Sequence, residues 1–327
     1  MKQNVLYSLA YCAVLLLSSL APTDAIAEEF ADIEGDLVVF HAGSLSVPFR
    51  EVASAFMDEY PKVRVLREAA GSRACARKIT DLNRACDVLG SADYTVIDAL
   101  LIPEHASWNI RFAANEMVIA YTEHSRRSAD IGAENWHQIL LESDVAYGRS
   151  DPNADPCGYR TVLTTQLAEI HYSEPGLASR LQKKDTRHIR PKETDLLALL
   201  EVGAIDYVFI YRSVAKQHAL KWVDLPDSIN LKSPDHAAHY AQAKTTITGP
   251  EPGTTITKEG EPMVYGITIP NNAPNPRAAQ AFVSFLLEHD NGMAIMERNG
   301  QPSLVPTFSE SYDRVPSLLK RFAISTQ

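Results

Sequence analysis

Two Gly-Ser pairs stand at predicted strand-to-helix junctions. Gly43-Ser44 follows one β-rich run, and Gly71-Ser72 follows the next one along the chain. A glycine lets the backbone approach a ligand closely, a serine supplies a hydroxyl group, and the first N–H groups of a helix have no partner within it. Such a junction can bind an anion, although a single serine is equally typical of a plain helix N-cap. Two pairs at neighbouring strand ends therefore indicate an anion-binding edge.

A second group of polar residues could face the same ligand. Cys157 and Gly158 stand in a turn-rich segment that runs into a helix, so their N–H groups are expected to be free. Tyr211 ends a predicted strand and can offer a phenol hydroxyl. Asp155 and Glu193 lie at or just before predicted helix starts, where a carboxylate often serves only as a cap. Taken singly, each of these residues is also consistent with a structural role.

Composition and motifs exclude several classes of function. The chain has 327 residues, 45% of them hydrophobic, and a formal net charge of −10. Nucleic-acid binding is not expected, because it requires clustered Lys and Arg that displace counterions from the polyanion. The sequence contains no P-loop, no His-Glu-x-x-His, no Cys-x-x-Cys and no Gly-x-Ser-x-Gly motif. A periplasmic enzyme using Ser44, which has His41 nearby, or Cys157 is a minor alternative.

The first 27 residues have the pattern of a secretory signal peptide. Lys2 gives a positive start, residues 5–20 are nearly all apolar or small, and Ala25-Ile26-Ala27 is a small-x-small cleavage site. The sequence therefore predicts cleavage after Ala27 and a periplasmic mature protein. The apolar run of about 16 residues is short for a membrane anchor, which is the weaker interpretation.

Three cysteines would remain in that oxidising compartment. Cys75 and Cys86 bracket one predicted helix, and a local disulfide between them is expected. Cys157 is then left over, either as a buried small hydrophobe or as a reactive thiol. The buried interpretation is favoured, because no base stands near Cys157 in the sequence.

Alternation of β-rich runs with amphipathic helices predicts an α/β fold with mainly parallel sheets. The strands expected first are residues 37–40, 63–66 and 87–89, with helices at 46–60 and 75–82. A second set follows, with helices at 159–172 and 194–201 and a strand at 207–211, and a last helix spans 277–288. Two such sets predict two lobes.

Two further apolar strands, residues 117–121 and 263–269, are expected to connect the lobes. The predicted first lobe consists of residues 28–115 and 267–327, and the second lobe of residues 116–266. The polar stretch 250–261 is expected to be a surface loop or hairpin just before the return crossing. In open α/β sheets, ligands bind beyond the carboxyl ends of the strands. The Gly-Ser pairs and the acidic loops are therefore expected to meet in a cleft between the lobes.

Eight ordered blocks of this sequence resemble the tungstate/molybdate-binding proteins of ABC importers, the WtpA group of the ModA-like family. They cover nearly all of the predicted mature chain. The blocks are residues 40–49 (FHAGSLSVPF), 70–72 (AGS), 91–94 (SADY), 112–117 (FAANEM), 150–160 (SDPNADPCGYR), 190–195 (RPKETD), 209–215 (FIYRSVA) and 264–267 (VYGI).

This resemblance implies a type II periplasmic binding protein fold, with two doubly wound α/β lobes joined by a two-strand hinge and one oxyanion held between them. By position it implies that neutral groups bind the oxo atoms of the ligand: Ser44, Ser72 and Tyr211 and the backbone of Cys157 and Gly158. Two carboxylates in this group also bind the metal centre of the ligand directly. They correspond here to Asp155 and Glu193, with Asp151 as the alternative to Asp155.

Carboxylates next to a dianion would be repelled unless they bond its central atom. A W(VI) or Mo(VI) centre is hard and can accept additional oxygen ligands, whereas the sulfur of sulfate cannot. The expected function is therefore that of a monomeric receptor that binds tungstate or molybdate, needs no other cofactor and delivers its ligand to an ABC permease. A receptor for another tetrahedral oxyanion such as sulfate is the main alternative. Tungstate and molybdate have nearly the same size and charge, so the sequence favours neither.

Overall fold

The computed structural model describes residues 30–325 of the chain. The predicted signal peptide, residues 1–27, and its cleavage site lie outside the described residues. The fold reported below belongs to the compact unit that begins at Ile33. Within the described part of the chain, no helix has the length and apolar character required to cross a membrane.

Fourteen strands are formed by the described residues. They are β1 Gly35–Ala42, β2 Val63–Ala70, β3 Val88–Ser91, β4 Ile110–Ala114, β5 Met117–Tyr121, β6 Tyr147–Ser150, β7 Ile189–Arg190, β8 Tyr207–Tyr211, β9 Lys221–Asp224, β10 Lys244–Thr248, β11 Thr255–Glu259, β12 Val264–Thr268, β13 Thr307–Ser309 and β14 Ala323–Ser325.

The same part of the chain forms eleven α-helices and several shorter helical turns. The α-helices are α1 Ser46–Glu59, α2 Ser72–Thr80, α3 Tyr94–Leu100, α4 Trp136–Leu141, α5 Pro156–His171, α6 Leu177–Lys183, α7 Leu197–Glu201, α8 Arg212–Gln217, α9 Ala237–Tyr240, α10 Pro276–Leu287 and α11 Ala294–Arg298. The 3₁₀ turns are Gly43–Leu45, Thr186–His188, Glu193–Leu196, Pro234–His236, Tyr312–Arg314 and Ser317–Phe322, and a π-helical turn spans His289–Met293.

Two five-stranded sheets share one pattern. The first has the order β2-β1-β3-β12-β4, and the second has the order β7-β6-β8-β5-β9. In each sheet only the fourth strand, β12 or β5, runs antiparallel to its two neighbours. The prediction of two mainly parallel α/β layers is therefore confirmed. We call the first sheet with its helices the first lobe, and the second sheet with its helices the second lobe.

The chain passes between the lobes twice. It leaves through Asn115 and Glu116, the two residues between β4 and β5, and it returns just before β12. The N–H of Met117 donates to the carbonyl of Asn230 at 2.9 Å, which anchors the outgoing segment. The exact lobe boundaries proposed from the sequence, at residues 115/116 and 266/267, stay a prediction.

Polar residues before the return crossing form an antiparallel hairpin, β10 with β11. The sequence predicted either a surface loop or a hairpin for residues 250–261. The structure has a hairpin here, and its first strand begins at Lys244. This hairpin extends from the second lobe and contacts the first, because Arg77 Nη2 of α2 donates to the carbonyl of Gly249 at 2.7 Å.

Two helices begin earlier than predicted. Helix α2 starts at Ser72 rather than at Cys75, directly after β2, which itself runs on to Ala70. Helix α5 starts at Pro156 rather than at Tyr159, because Asp155 caps it and proline suits the first helical position. Both shifts bring the helix N-termini closer to the loops that carry the predicted site residues.

The expected disulfide between Cys75 and Cys86 is wrong for this structure, in which all three described cysteines are free and buried. Each thiol has its own acceptor: Cys75 Sγ donates to the carbonyl of His41 at 3.5 Å, and Cys86 Sγ donates to that of Val88 at 3.2 Å. Both side chains pack in the apolar cluster under β1 and α3. The prediction that Cys157 is buried is confirmed.

Candidate functional site

The first-lobe loop after β1 holds Ser44 in a fully buried position. The strand ends at Ala42, and Gly43–Leu45 forms a 3₁₀ turn before α1. The Ser44 Oγ accepts a hydrogen bond from the hydroxyl of Tyr265 at 3.0 Å. The Ser44 carbonyl accepts another from Gln301 Nε2 at 3.0 Å. The serine is therefore fixed at both its backbone and its hydroxyl.

The second Gly-Ser pair places Ser72 at the start of α2, also fully buried. Its Oγ accepts a hydrogen bond from the N–H of Ala92 at 2.9 Å. Gly71 lies directly against the carbonyl of Ala154 in the second lobe, where a Cβ would overlap it. The N–H of Ala74 donates to that same carbonyl at 3.2 Å. The glycine is thus required because the two lobes touch here.

Asp155 and Glu193 are brought together by two different loops of the second lobe. Asp155 is the N-cap of α5, and its Oδ1 accepts from the N–H of Cys157 at 3.4 Å. Its Oδ2 accepts from the N–H of Glu193 at 3.1 Å, which links the two acidic loops. Both side chains are 1% exposed.

The Glu193 carboxylate faces the first-lobe loop. A Cβ added at Gly43 would lie 2.8 and 2.9 Å from the two Glu193 carboxylate oxygens. Neither of these buried oxygens has a hydrogen-bond partner among the described residues. An unpartnered buried carboxylate costs several kcal/mol in folded proteins. A group with this cost and no internal partner indicates a ligand position.

Burial disfavours the charged form of both acids, and the charge of Asp155 adds to this effect at Glu193. Burial raises the pKa of Asp155 above its usual range, and hydrogen bonds to the carboxylate offset only part of that rise. Burial also raises the pKa of Glu193 well above its usual value, and the neighbouring Asp155 charge raises it further. Neither acid forms an ion pair with another of residues 30–325. The site therefore carries a negative potential that only a ligand or a shared proton can relieve.

The remaining predicted second-lobe donors lie at the end of β8 and at the start of α5. The Tyr211 hydroxyl, at the end of β8, accepts a hydrogen bond from Arg160 Nη1 at 3.0 Å. The N–H of Gly158 donates to the carbonyl of Asp155 at 3.0 Å, and that of Cys157 donates to its side chain. These two N–H groups are thus already engaged within the loop rather than free. Their role as donors to an oxyanion stays a prediction.

Asp151, the alternative acid, differs from Asp155 in its surroundings. It is half-buried, and its Oδ1 accepts from the N–H of Asn153 at 2.8 Å, an ordinary turn hydrogen bond. No contact of its side chain with Glu193 is found among the described residues. The geometry pairs Glu193 with Asp155.

Comparison with known proteins identifies the family. The sequence profile described as bacterial extracellular solute-binding protein matches residues 37–301. The chain belongs to this family. A relative from Petrotoga mobilis, named only as an uncharacterized solute-binding protein, is 55% identical over 292 residues, which cover 89% of this chain and 91% of that protein.

Two further comparisons bear on the predicted group. The molybdate/tungstate-binding protein WtpA of Thermococcus kodakarensis is 40% identical over 314 residues, 88% of this chain and 87% of that protein. The periplasmic molybdate-binding protein of Azotobacter vinelandii matches with a TM-score of 0.55 at 17% identity, over 81% of this chain and 98% of that one. The predicted resemblance to the WtpA group and the predicted periplasmic binding protein fold are both confirmed.

This solute-binding protein also has a buried polar cluster that the sequence did not reveal. Asp93 lies at the N-cap of α3 in the first lobe, and its Oδ2 forms an ion pair with Lys258 Nζ of β11 at 3.0 Å. The Tyr159 hydroxyl of α5 donates to the same carboxylate oxygen. Arg160 Nη2 lies 3.9 Å from it, and Arg160 Nη1 donates to the carbonyl of Ala92 at 2.7 Å. The cluster joins the two lobes through α5, the helix that Asp155 caps.

The family resemblance could have pointed to this cluster. Asp93 and Arg160 both stand inside the blocks that carry the family resemblance, at 91–94 and 150–160. A helical arginine is normally assigned to a solvent-exposed face, however, and only the structure shows that Arg160 is buried. Tyr265 and Asn115 also stand inside blocks that carry the resemblance, and only the structure shows that they contact each other and Ser44.

The donor set does not resemble a resident metal site. Within the described residues, no three His, Cys, Asp or Glu side chains converge to hold a metal ion. Two carboxylates together with hydroxyl groups instead suit a ligand that brings most of its own oxygen atoms.

Proposed function

We propose that this protein is an extracytoplasmic receptor that binds tungstate or molybdate between its lobes and delivers it to an ABC permease. The observation that carries the proposal is the buried Glu193 carboxylate, whose two oxygens have no partner among residues 30–325 while they face Gly43 of the first lobe. Membership of the solute-binding family and the 40% identity to a molybdate/tungstate-binding protein support the same ligand.

The chemistry of the ligand accounts for the two acids. Tungstate and molybdate are dianions, so neutral donors must bind their oxo groups, and Ser44, Ser72 and Tyr211 are suited to that role. Asp155 and Glu193 would bind the hard W(VI) or Mo(VI) centre directly, which turns repulsion into ligation. Sulfate has no such centre, and it would be repelled by the same carboxylates.

The first test is the coordination number of bound tungsten. X-ray absorption at the tungsten edge of the purified mature protein should show about six oxygen neighbours rather than the four of free tungstate. Titration calorimetry with an excess of sulfate should leave tungstate binding unchanged. A tetrahedral tungsten centre, or displacement by sulfate, would contradict the proposal and leave a general oxyanion receptor.

A pair of matched variants decides which aspartate is the ligand. Asp155→Asn should remove an oxygen neighbour and weaken tungstate binding strongly. Asp151→Asn makes the same change four residues earlier and keeps the turn hydrogen bond to Asn153, so it should have a small effect. The reverse result would assign the ligand to Asp151.

The remaining parts of the proposal follow from this role. The protein acts as a monomer in the periplasm after cleavage behind Ala27, and it needs no cofactor beyond its cargo. It catalyses no reaction, and the surroundings of both potential nucleophiles support this. Burial raises the pKa of the Cys157 thiol well above its usual value. The His41 Nδ1 contacts the carbonyl of Ala42 at 2.8 Å, and its Nε2 lies 3.5 Å from Arg67, so neither nitrogen is paired with Ser44.

A further inference from the structure

A chain of buried hydrogen bonds runs behind Ser44. The Nδ2 of Asn115 donates to the hydroxyl of Tyr265 at 2.8 Å, and that hydroxyl donates to Ser44 Oγ at 3.0 Å. All three side chains are buried, with Asn115 at 5% exposure and the other two at 0%.

The donor and acceptor roles in this series of hydrogen bonds are fixed at Asn115. The Oδ1 of Asn115 accepts from the N–H of Glu116 at 3.0 Å and from the N–H of Ser213 at 3.3 Å. Two backbone donors therefore define which end of the amide is oxygen, and the NH₂ group is left to face Tyr265. Because an amide nitrogen only donates, the Tyr265 oxygen must accept from it and pass its own proton toward Ser44.

This arrangement determines where the Ser44 hydroxyl can direct its proton. Its oxygen is already an acceptor for Tyr265, so its own proton is directed elsewhere, and it has no acceptor within residues 30–325. Ser44 follows Gly43, which lies against the Glu193 carboxylate. A hydroxyl held in this way keeps its proton free to donate, as an oxo group of the ligand requires.

We infer that Tyr265 and Asn115 are positioning residues that hold the Ser44 hydroxyl as a hydrogen-bond donor to the bound oxyanion. This inference rests on the proposed function. It adds that ligand recognition depends on the two segments that cross between the lobes. Asn115 lies in the outgoing segment and also donates to Ser213 Oγ of the second lobe at 2.7 Å, while Tyr265 lies on the returning strand β12.

The structure offers clean variants for a test. Tyr265→Phe removes only the hydroxyl, and the hydrogen bond from Gln301 to the Ser44 carbonyl still holds the backbone. Asn115→Asp keeps the shape but replaces the donor by an acceptor. The Tyr265 hydroxyl would then donate to the new carboxylate, Ser44 would donate to Tyr265, and its proton would no longer face the ligand.

The experiment measures the molybdate affinity of the purified mature protein by titration calorimetry, for the wild type, Tyr265→Phe, Ser44→Ala and the double variant. Tyr265→Phe should weaken binding about five- to tenfold, the scale of one hydrogen bond. In the Ser44→Ala background the same change should have little further effect, because Tyr265 acts only through Ser44. Asn115→Asp should weaken binding at least as much as Tyr265→Phe.

A buried tyrosine elsewhere in the second lobe supplies the matched control. The Tyr147 hydroxyl donates to the carbonyl of Leu181, and Tyr147→Phe, which removes this hydroxyl, should leave the molybdate affinity unchanged. Purely additive effects of Tyr265→Phe and Ser44→Ala, or equal affinities for Tyr265→Phe, Asn115→Asp and the wild type, would overturn the inference.

Failure of the proposed function gives a different result. A wild-type protein that binds neither molybdate nor tungstate would refute the proposed function and this inference together. A wild-type protein that binds, and that loses affinity with Ser44→Ala but not with Tyr265→Phe or Asn115→Asp, would refute the positioning role alone.

Discussion

Two buried acidic regions of this protein are linked through helix α5, and they are satisfied in opposite ways. Asp93 of the first lobe has a lysine at 3.0 Å, a tyrosine hydroxyl, and the N–H of Thr95 at 2.9 Å. Burial by itself would raise the pKa of Asp93, but the charges of Lys258 and Arg160 lower it more, so that its pKa lies well below the usual range. This acid is fully compensated within the chain.

The second-lobe acids have no such compensation. Burial and their mutual repulsion raise the pKa of Glu193, and burial raises that of Asp155. Both regions are equally inaccessible to water, so burial does not distinguish a structural acid from a binding one. The presence or absence of an internal partner does, because a folded protein rarely leaves a buried charge unsatisfied without a functional reason.

The comparison predicts the largest effect on stability at Asp93. Asp93→Asn leaves Lys258 and Arg160 without their counter-charge, and we expect it to lower the free energy of unfolding by about 3–5 kcal/mol. Urea unfolding at pH 7 measures this. Asp36→Asn, which breaks an exposed ion pair with Arg64, is the control and should leave stability almost unchanged. Equal effects of the two changes would show that Asp93 is not compensated as described.

The same variant has a defined pH dependence. Because folding lowers the pKa of Asp93, its contribution to stability is complete above the usual Asp pKa of about 3.9 and is lost as the pH falls toward the folded value. The stability difference between the wild type and Asp93→Asn should therefore be constant near neutrality and shrink below about pH 4. A difference that grows on acidification would contradict the sign of this assignment.

The opposite result is expected at Glu193. Glu193→Gln should weaken tungstate binding by about 2–3 kcal/mol, roughly a hundredfold, because the proposed ligand to the metal centre is lost. The ligand-free protein should be no less stable than the wild type, since the two Glu193 oxygens have no hydrogen-bond partner within residues 30–325 that the change could remove. Calorimetric titration and thermal unfolding of the same samples separate the two quantities. A loss of stability without a loss of affinity would make Glu193 a structural acid like Asp93.

A smaller effect is expected where the lobes meet at Gly71. A Cβ there would overlap the carbonyl of Ala154, so Gly71→Ala should hinder the closed arrangement and weaken tungstate binding by about 1–2 kcal/mol. The first lobe itself has room to fold, so ligand-free stability should change little. Gly132→Ala is the control, because its nearest neighbouring atom would lie 4.0 Å away. Unchanged affinity in Gly71→Ala would mean that the ligand does not require this contact.

Local patterns in the sequence were sufficient for six of the fourteen strands and for the loops that carry the site. The end of β8 at Tyr211 and the strand β5 coincide with their predicted bounds, because short apolar runs flanked by polar residues leave little choice. The family resemblance placed Asp155 and Glu193, and the structure brings the two acids together.

Hydrogen bonds and ion pairs between buried polar residues that lie far apart in the sequence could not be predicted in this way. The pairing of Asp93 with Lys258 joins residues 165 positions apart, and the bond from Tyr265 to Ser44 joins residues 221 positions apart. No local pattern encodes such contacts. The disulfide prediction failed for a related reason, because spacing along the chain does not show which backbone carbonyl each thiol will contact.

The smallest effect on tungstate affinity is expected for Tyr211, a neutral hydrogen-bond donor. Its variant tests most directly whether neutral groups and acids bind different parts of the ligand. Tyr211→Phe removes a hydroxyl that accepts from Arg160 and that is proposed to donate to an oxo group, while Arg160 keeps the Ala92 carbonyl as an acceptor. Tungstate affinity should fall by about 1 kcal/mol, roughly fivefold. The oxygen count around bound tungsten should stay the same, because the phenol would bind an oxo group and not the metal, whereas Glu193→Gln should lower that count. If Tyr211→Phe also removed an oxygen neighbour, the division into acids that bind the centre and neutral groups that bind its oxygens would be wrong.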